Sequence, residues 1–284
     1  MRRKPDWFKI RIGGDRGAAR VRGILEAGRL RTVCGSAECP NRAECFSEGV
    51  ATFLVLGDVC TRGCAFCSVK AGTPGPVEAD EPERLADAAA RLGLAHVVIT
   101  SVTRDDLPDG GAAHFAACVR AVKAALPAAT AETLVPDFRG DLAAVDTVLD
   151  SGIDVFNHNV ETVPRLYPAV RRGADYARSL KVLARAAERG RGGAPLVKSG
   201  LMVGLGETDG ELDALLADLY AAGVRAVTAG QYLQPRRRNV EVAEYWTPER
   251  FVALEARARA IGFPFVKAAP LVRSSYRAID FRTR

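Results

Sequence analysis

Downstream of residue 50 the chain alternates, six times over, between a short β-branched run and an alanine- and leucine-rich stretch of helical length. That alternation narrows the available folds more than any other feature, because neighbouring parallel strands need a crossover and a helix is the usual one. Strands are expected at 52–57, 96–102, 131–136, 154–160, 197–204 and 226–233. Several of them are nearly continuous apolar runs, as in parallel strands covered on both faces. Helices are expected over 82–92, 111–125, 139–150, 175–189, 209–222 and 247–261. Pro82 and Pro248 fit their first turns, and Asp80 and Thr247 fit their N-caps. The expected fold class is α/β, a parallel sheet curled into a partial (β/α)6 TIM-type barrel. A complete barrel or a flat doubly wound sheet has the same periodicity and stays open as an alternative. Residues 51–262 would form the barrel, with extensions at 1–50 and 263–284 packed across its mouth.

A barrel of this kind carries its chemistry at the C-terminal ends of the strands and in the loops that follow. The polar residues obey this. Cys60, Cys64 and Cys67 follow the first strand, and Ser101 and Thr103-Arg104-Asp105-Asp106 follow the second. Glu132 lies in the third, Asn157-His158-Asn159 end the fourth, Lys198 lies in the fifth and Gln231 comes late in the sixth. Polar groups inside apolar strands need partners, which a buried ligand would supply.

Six of the seven cysteines, Cys34, Cys39, Cys45, Cys60, Cys64 and Cys67, fall within thirty-four residues. CTRGCAFC spaces its thiols C-x3-C-x2-C inside one loop, which suits three corners of a cubane iron–sulfur cluster with the fourth iron open. Phe66 gives that loop an apolar side. CGSAECPNRAEC repeats the number of thiols at C-x4-C-x5-C. Two equal, compact sets favour two separate clusters, each with one position not filled by cysteine. A structural zinc site is the alternative for CTRGCAFC, and it would need a fourth nearby ligand such as His96 or His158. The remaining Cys118 lies on the apolar face of a helix and reads as a small buried hydrophobe. Of the histidines only His158, between two asparagines at a strand end, reads as a site residue. Gly204 and Gly206 in LMVGLGET mark a place where backbone could approach an adenosine-type ligand closely.

Composition excludes other classes. Hydrophobic residues make up 48% and charged residues 26%, a globular balance, and no apolar run nears the ~18 residues of a membrane span. The basic start MRRKPDWFKIRI lacks the hydrophobic segment of an export signal, so a cytoplasmic monomer is expected. The net charge of +6 is scattered apart from RR at 171–172 and RRR at 236–238. Neither cluster is interleaved with aromatics as a nucleic-acid platform would be. A basic face can instead steer an acidic protein partner or hold a small anion.

C-x3-C-x2-C ahead of a βα barrel resembles the radical S-adenosylmethionine (SAM) enzymes, and the upstream triplet narrows the resemblance to the lipoyl synthase family. It runs through nearly the whole chain: KPDWFKIRI, CPNRAECF, TFLVLGDVCTRGCAFC, VVITSVTRDDLPDGGA, ETLVPDFRG, DVFNHNVETV, RRGADY, KSGLMVGLGET, GQYLQP and RSSY. The resemblance implies a sulfurtransferase that inserts two sulfur atoms at C6 and C8 of a protein-bound octanoyl-lysine. It implies two 4Fe-4S clusters and SAM. Cys60, Cys64 and Cys67 would hold the SAM-binding cluster, and Cys34, Cys39 and Cys45 an auxiliary cluster that donates the sulfur. The serine pair of Arg273-Ser274-Ser275-Tyr276 implies the fourth auxiliary ligand, Ser275 first and Ser274 as its neighbour. Phe66, Thr100, Ser101, Glu132, Asn157 and Lys198 would contact SAM. The implied partners are octanoylated carrier domains of 2-oxoacid dehydrogenase E2 subunits and of the glycine cleavage H protein, which are commonly acidic. A flavodoxin or ferredoxin and a cluster-repair carrier complete the set. A methylthiotransferase or a biotin-synthase-like sulfur inserter would share CTRGCAFC, and a zinc-stabilised binding protein is the non-enzyme alternative.

Overall fold

Seven parallel strands and one antiparallel edge strand form a single sheet in the computed structural model, which describes residues 3–8, 15–47, 50–190, 195–276 and 278–281. Residues 9–12 of KPDWFKIRI lie outside the described residues. The N-terminal part supplies helix α1 (Asp15–Ala27), edge strand β1 (Arg31–Thr32) and short helices α2 (Val33–Ser36) and α3 (Arg42–Ser47). The barrel then runs β2 (Thr52–Val55), a small parallel pair β3 (Val59–Cys60) and β4 (Lys70–Ala71), α4 (Glu81–Leu92) and β5 (His96–Ser101). It continues α5 (Ala112–Ala125), β6 (Thr130–Leu134), α6 (Leu142–Leu149), β7 (Val155–Asn157), α7 (Tyr167–Val170) and α8 (Tyr176–Arg189). It closes β8 (Leu196–Val203), α9 (Asp209–Ala221), β9 (Ala226–Gln231), α10 (Pro248–Ile261) and β10 (Phe265–Ala269).

The sheet order β1-β2-β5-β6-β7-β8-β9-β10 follows the chain, as right-handed βα winding requires. Among the described residues no strand pairing joins β10 back to β1, so the barrel is open on that side. The expected partial barrel is therefore the observed architecture, with one parallel strand more than the six read from sequence. That strand, β10, pairs with β9 beyond the boundary expected at 262. Its run FVKAA, with a lysine at its centre, does not announce itself, and only one of its five residues is buried. β1 likewise gains its partner from β2 and not from its own two residues.

Helix ends show where local chemistry held and where it did not. Thr208 and Glu211 form a reciprocal capping box at α9, and the Asp141 and Asp175 carboxylates accept from first-turn N–H groups of α6 and α8. Asp80 and Thr247, both expected to cap, make no side-chain cap. The Asp80 carboxylate is taken instead by Arg29 at 2.7 Å and by Arg84 one turn on at 3.0 Å. Val97, Ile99, Phe115, Val119, Phe156, Val182 and Leu215 fill the core between sheet and helices, and Cys118 is fully buried in α5 as a small hydrophobe. This frame leaves the loops after the strands free to line one cavity.

Candidate functional site

The first strand stops on an unusual bend. Leu56 has a φ of +67° and Gly57 one of +99°, which turn the chain out of β2 into the cysteine loop. Leu56 is held there from both sides: its N–H donates to the buried Glu81 carboxylate at 3.0 Å, and its carbonyl accepts from Arg104 at 3.1 Å. The loop is then sewn to the loop after β5. Thr61 N and Oγ1 both donate to the Thr103 carbonyl at 3.0 Å, and Asp105 N donates to Thr61 Oγ1 at 3.1 Å. Cys60 Sγ accepts backbone N–H groups of Thr103 at 3.3 Å and Arg62 at 3.4 Å.

Cys60, Cys64, Phe66 and Cys67 line a cavity of ≈ 540 Å³ at the barrel mouth, in the size range of small-molecule sites. Burial pushes the Cys64 thiol up to about 12 although the Arg171 guanidinium pulls it down, and burial pushes Cys67 up to about 11. Both therefore wait protonated until a cation replaces the proton. Among the described residues no three His, Cys, Asp or Glu side chains converge on one metal ion. The thiols share a cavity wall instead.

The two chain extensions meet at the same cavity. Cys34 and Cys39 line it from one side and Ser274 and Ser275 from the other. The stitches are specific. Asn41 Nδ2 donates to the Leu271 carbonyl at 2.7 Å, the Tyr276 hydroxyl to Glu44 Oε1 at 3.0 Å, and Ser68 Oγ to the Ser36 carbonyl at 3.0 Å. The last links the two cysteine loops directly. Gly230 makes room for the C-terminal pass, since a Cβ there would stand 1.9 Å from the Val272 carbonyl oxygen. Cys45, on α3, is half-buried beside this cluster but does not reach the cavity lining.

Thr100 and Ser101 reach the cavity from the end of β5. Glu132, Asn157 and Lys198 do not. All three are fully buried in the barrel interior, where Lys198 Nζ meets Glu132 Oε1 at 2.9 Å and Asn157 Nδ2 donates to the same oxygen at 2.9 Å. His96 adds a contact at 3.4 Å. Burial resists both charges, but the lysine and the histidine hold Glu132 below the usual carboxylate range. These groups bind one another, while Asn157 Oδ1 keeps no hydrogen-bond partner.

Three other expected site features are likewise structural. Burial drives His158 down to about 3, Nδ1 lies 2.9 Å from the Val135 carbonyl, and the ring does not line the cavity. Gln231 binds the Val203 and Glu244 carbonyls and the Trp246 N–H. Gly204, at φ +91°, turns the loop under Gln231, and Glu207 caps the N–H groups of Gly204 and Leu205. Glu161 was missed by sequence reasoning, and Asn159 and Arg171 were noted only as part of a polar strand end and of a charge cluster; all three line the cavity. Asn159 Nδ2 bridges Glu161 Oε1 at 3.0 Å and Ser274 Oγ at 2.9 Å. The φ of +65° that turns Glu161 inward is invisible in a sequence.

The Radical SAM superfamily profile matches residues 54–219. A lipoyl synthase of Nitratidesulfovibrio vulgaris (strain DP4) is 53% identical over 276 residues, covering 97% of this chain and 91% of the relative. The lipoyl synthase of Halorhodospira halophila is 55% identical over 279 residues, covering 98% of this chain and 83% of the relative. Among solved structures, methylornithine synthase superposes with a TM-score of 0.52 at 15% identity, over 96% of this chain and 90% of that one, a likeness of fold.

Proposed function

This chain belongs to the lipoyl synthase family of the radical SAM superfamily, and from that membership we propose that its two cysteine triplets divide the reaction between them. The family activity is insertion of two sulfur atoms, at C6 and C8, into an octanoyl chain carried on a lysine of a lipoyl carrier protein, using SAM and 4Fe-4S chemistry. When bound, the cluster on Cys60, Cys64 and Cys67 with SAM supplies a radical that removes hydrogen, and the cluster on Cys34, Cys39, Cys45 and Ser275 supplies sulfide.

The cavity fits these groups. Five of the six thiols and both serines face it, and the Ser101 hydroxyl is buried without a partner. The chain's own part is to hold and exclude. Backbone N–H groups of Arg62 and Thr103 fix the Cys60 sulfur, and Phe66 closes an apolar wall beside the loop. Thr100 and Ser101 offer hydroxyls to a polar ligand. Arg171 places a cation beside Cys64 and the carboxylate of Glu161. Glu132, Asn157 and Lys198 keep β6, β7 and β8 in register below. Such a water-poor wall limits side reactions of a radical. The cavity admits a flexible acyl-lysine arm and not a folded domain. The carrier, an E2 domain or the H protein, would therefore dock outside; a flavodoxin or ferredoxin and a cluster-repair carrier would serve a monomeric enzyme.

The observation that carries this reading is that Cys60, Cys64 and Cys67, two thiols of the upstream triplet (Cys34 and Cys39) and both serines line one cavity. Anaerobic reconstitution tests it, with about eight irons per chain expected from two four-iron clusters. Cys60, Cys64 and Cys67 changed to Ala should abolish SAM cleavage, whereas Cys34, Cys39 and Cys45 changed to Ala should leave cleavage but stop sulfur transfer. A dithiolated octanoyl peptide from the second variant, read by mass, would overturn the division of labour.

A further inference from the structure

Arg62, the middle residue of CTRGC, ties the cysteine loop to both neighbouring loops. Its Nε and Nη2 form a two-pronged bridge to Asp105, at 2.7 and 2.8 Å, in the loop after β5. The same Nη2 reaches Asp137 Oδ1 at 2.7 Å, in the loop after β6. The Arg62 side chain is 8% exposed and Asp137 is fully buried. Removing one partner of such a bridge strands a buried charge, which is why it fixes geometry so firmly. Only the planar guanidinium fork can serve two carboxylates at once. The backbone of this same residue donates to Cys60 Sγ, and the Asp105 end of the bridge is reinforced by the Thr61–Thr103 stitches.

We propose that Arg62 is a positioning residue which, clamped on Asp105 and Asp137, holds the Arg62 and Thr103 N–H groups on the Cys60 sulfur and thereby sets the reduction potential of the cluster on this loop. The inference rests on the reading that Cys60, Cys64 and Cys67 hold that cluster. Hydrogen bonds to cluster sulfurs and local charge are the protein's means of setting such a potential. Loosening the two N–H···S bonds and removing the cation both disfavour the added electron. Arg62→Gln should therefore bind iron normally yet be harder to reduce.

The measurement is a potentiometric titration of reconstituted full-length protein, following the part of the EPR signal that changes when SAM is added. For Arg62→Gln the reduced-to-oxidised ratio at a fixed potential should drop about tenfold, or 59 mV for a one-electron couple. Arg178→Gln is the control. Arg178 touches the other oxygen of Asp137 at 3.3 Å but has no link to the cysteine loop, so its ratio should stay within twofold of the parent. Equal shifts in both variants, or none in either, overturn the clamp. If Arg62→Gln fails to hold its SAM-responsive iron, Arg62→Lys decides: a point charge reaches one carboxylate, and a parental ratio in that variant also overturns it. Failure of the underlying reading looks different. In that case the parent itself lacks a SAM-responsive signal, or keeps one after Cys60, Cys64 and Cys67 are changed to Ala.

Discussion

Single residues decide whether the cavity exists. Gly230 is one, because the Val272 carbonyl passes where its Cβ would be. Gly230→Ala must push the C-terminal pass away from β9, an overpacking cost of ~1–3 kcal/mol. A lowered denaturant midpoint, with iron lost from the upstream triplet before the CTRGCAFC site, would register it. His158 acts through its charge. Burial, aided by Arg171, holds it at about 3 in the folded chain against an ordinary 6.5. Between those values the unfolded chain binds a proton that the folded chain refuses, so stability falls as pH drops from 6.5 toward 3. The slope from this group is at most ~1.4 kcal/mol per pH unit. His158→Gln should flatten the fall of the urea midpoint between pH 6 and 4.5 in iron-free protein; an unchanged slope would assign the acid sensitivity elsewhere. Asp137 acts at lower pH. Burial would raise it, but its bond to Arg62 holds it at about 2 against an ordinary 3.8, so its contribution is complete above 3.8 and is lost as pH falls from there toward 2.

At the scale of elements, the site depends on pairs of segments far apart in the chain. α3 and the C-terminal turn are joined by the Tyr276 hydroxyl on Glu44, and the CPNRAEC loop by Asn41 on the Leu271 carbonyl. Glu44→Gln and Tyr276→Phe should therefore be non-additive. A double-mutant cycle on the denaturation free energy should give a coupling of ~1 kcal/mol, the usual net size for an intramolecular hydrogen bond. Strict additivity would mean that the two extensions do not support each other. The barrel strands show the reverse case. Alternation of β-branched runs and helical stretches was enough to locate all six expected strands to within a few residues. Each of those runs is long and apolar enough to be driven into a core whatever its partner. β1 was not legible because it has two residues and β10 because it is mostly only half-buried, and both owe their strand conformation to their partners β2 and β9.

The whole molecule combines a small deep cavity with a modest positive charge. A cavity of ≈ 540 Å³ takes an octanoyl arm and a nucleoside-sized ligand but no folded carrier. A short octanoyl-lysine peptide should thus be turned over. Its KM should change little with salt, while that of an intact acidic carrier should rise several-fold between 0.05 and 0.3 M salt as the +6 charge is screened. Parallel salt dependence for both substrates would remove charge steering from the account. Among the described residues no helix is long and apolar enough to cross a membrane.

The sequence by itself determined the β-then-α alternation and the spacing of the two cysteine triplets, because periodicity and spacing along one chain are local properties. It also put Ser101 at the end of its strand, where such a barrel opens, whereas the serine pair and Thr100 came from the family resemblance. Tertiary structure decided the rest. Glu132, Asn157 and Lys198 are as polar in sequence as Thr100, yet their depth in the strands lets them neutralise one another below the cavity. Glu161 enters the cavity through a positive φ, and Asn159 and Arg171 line it beside Glu161. Whether a buried polar side chain meets a ligand or another side chain depends on distances across the barrel, and no spacing along the chain encodes those.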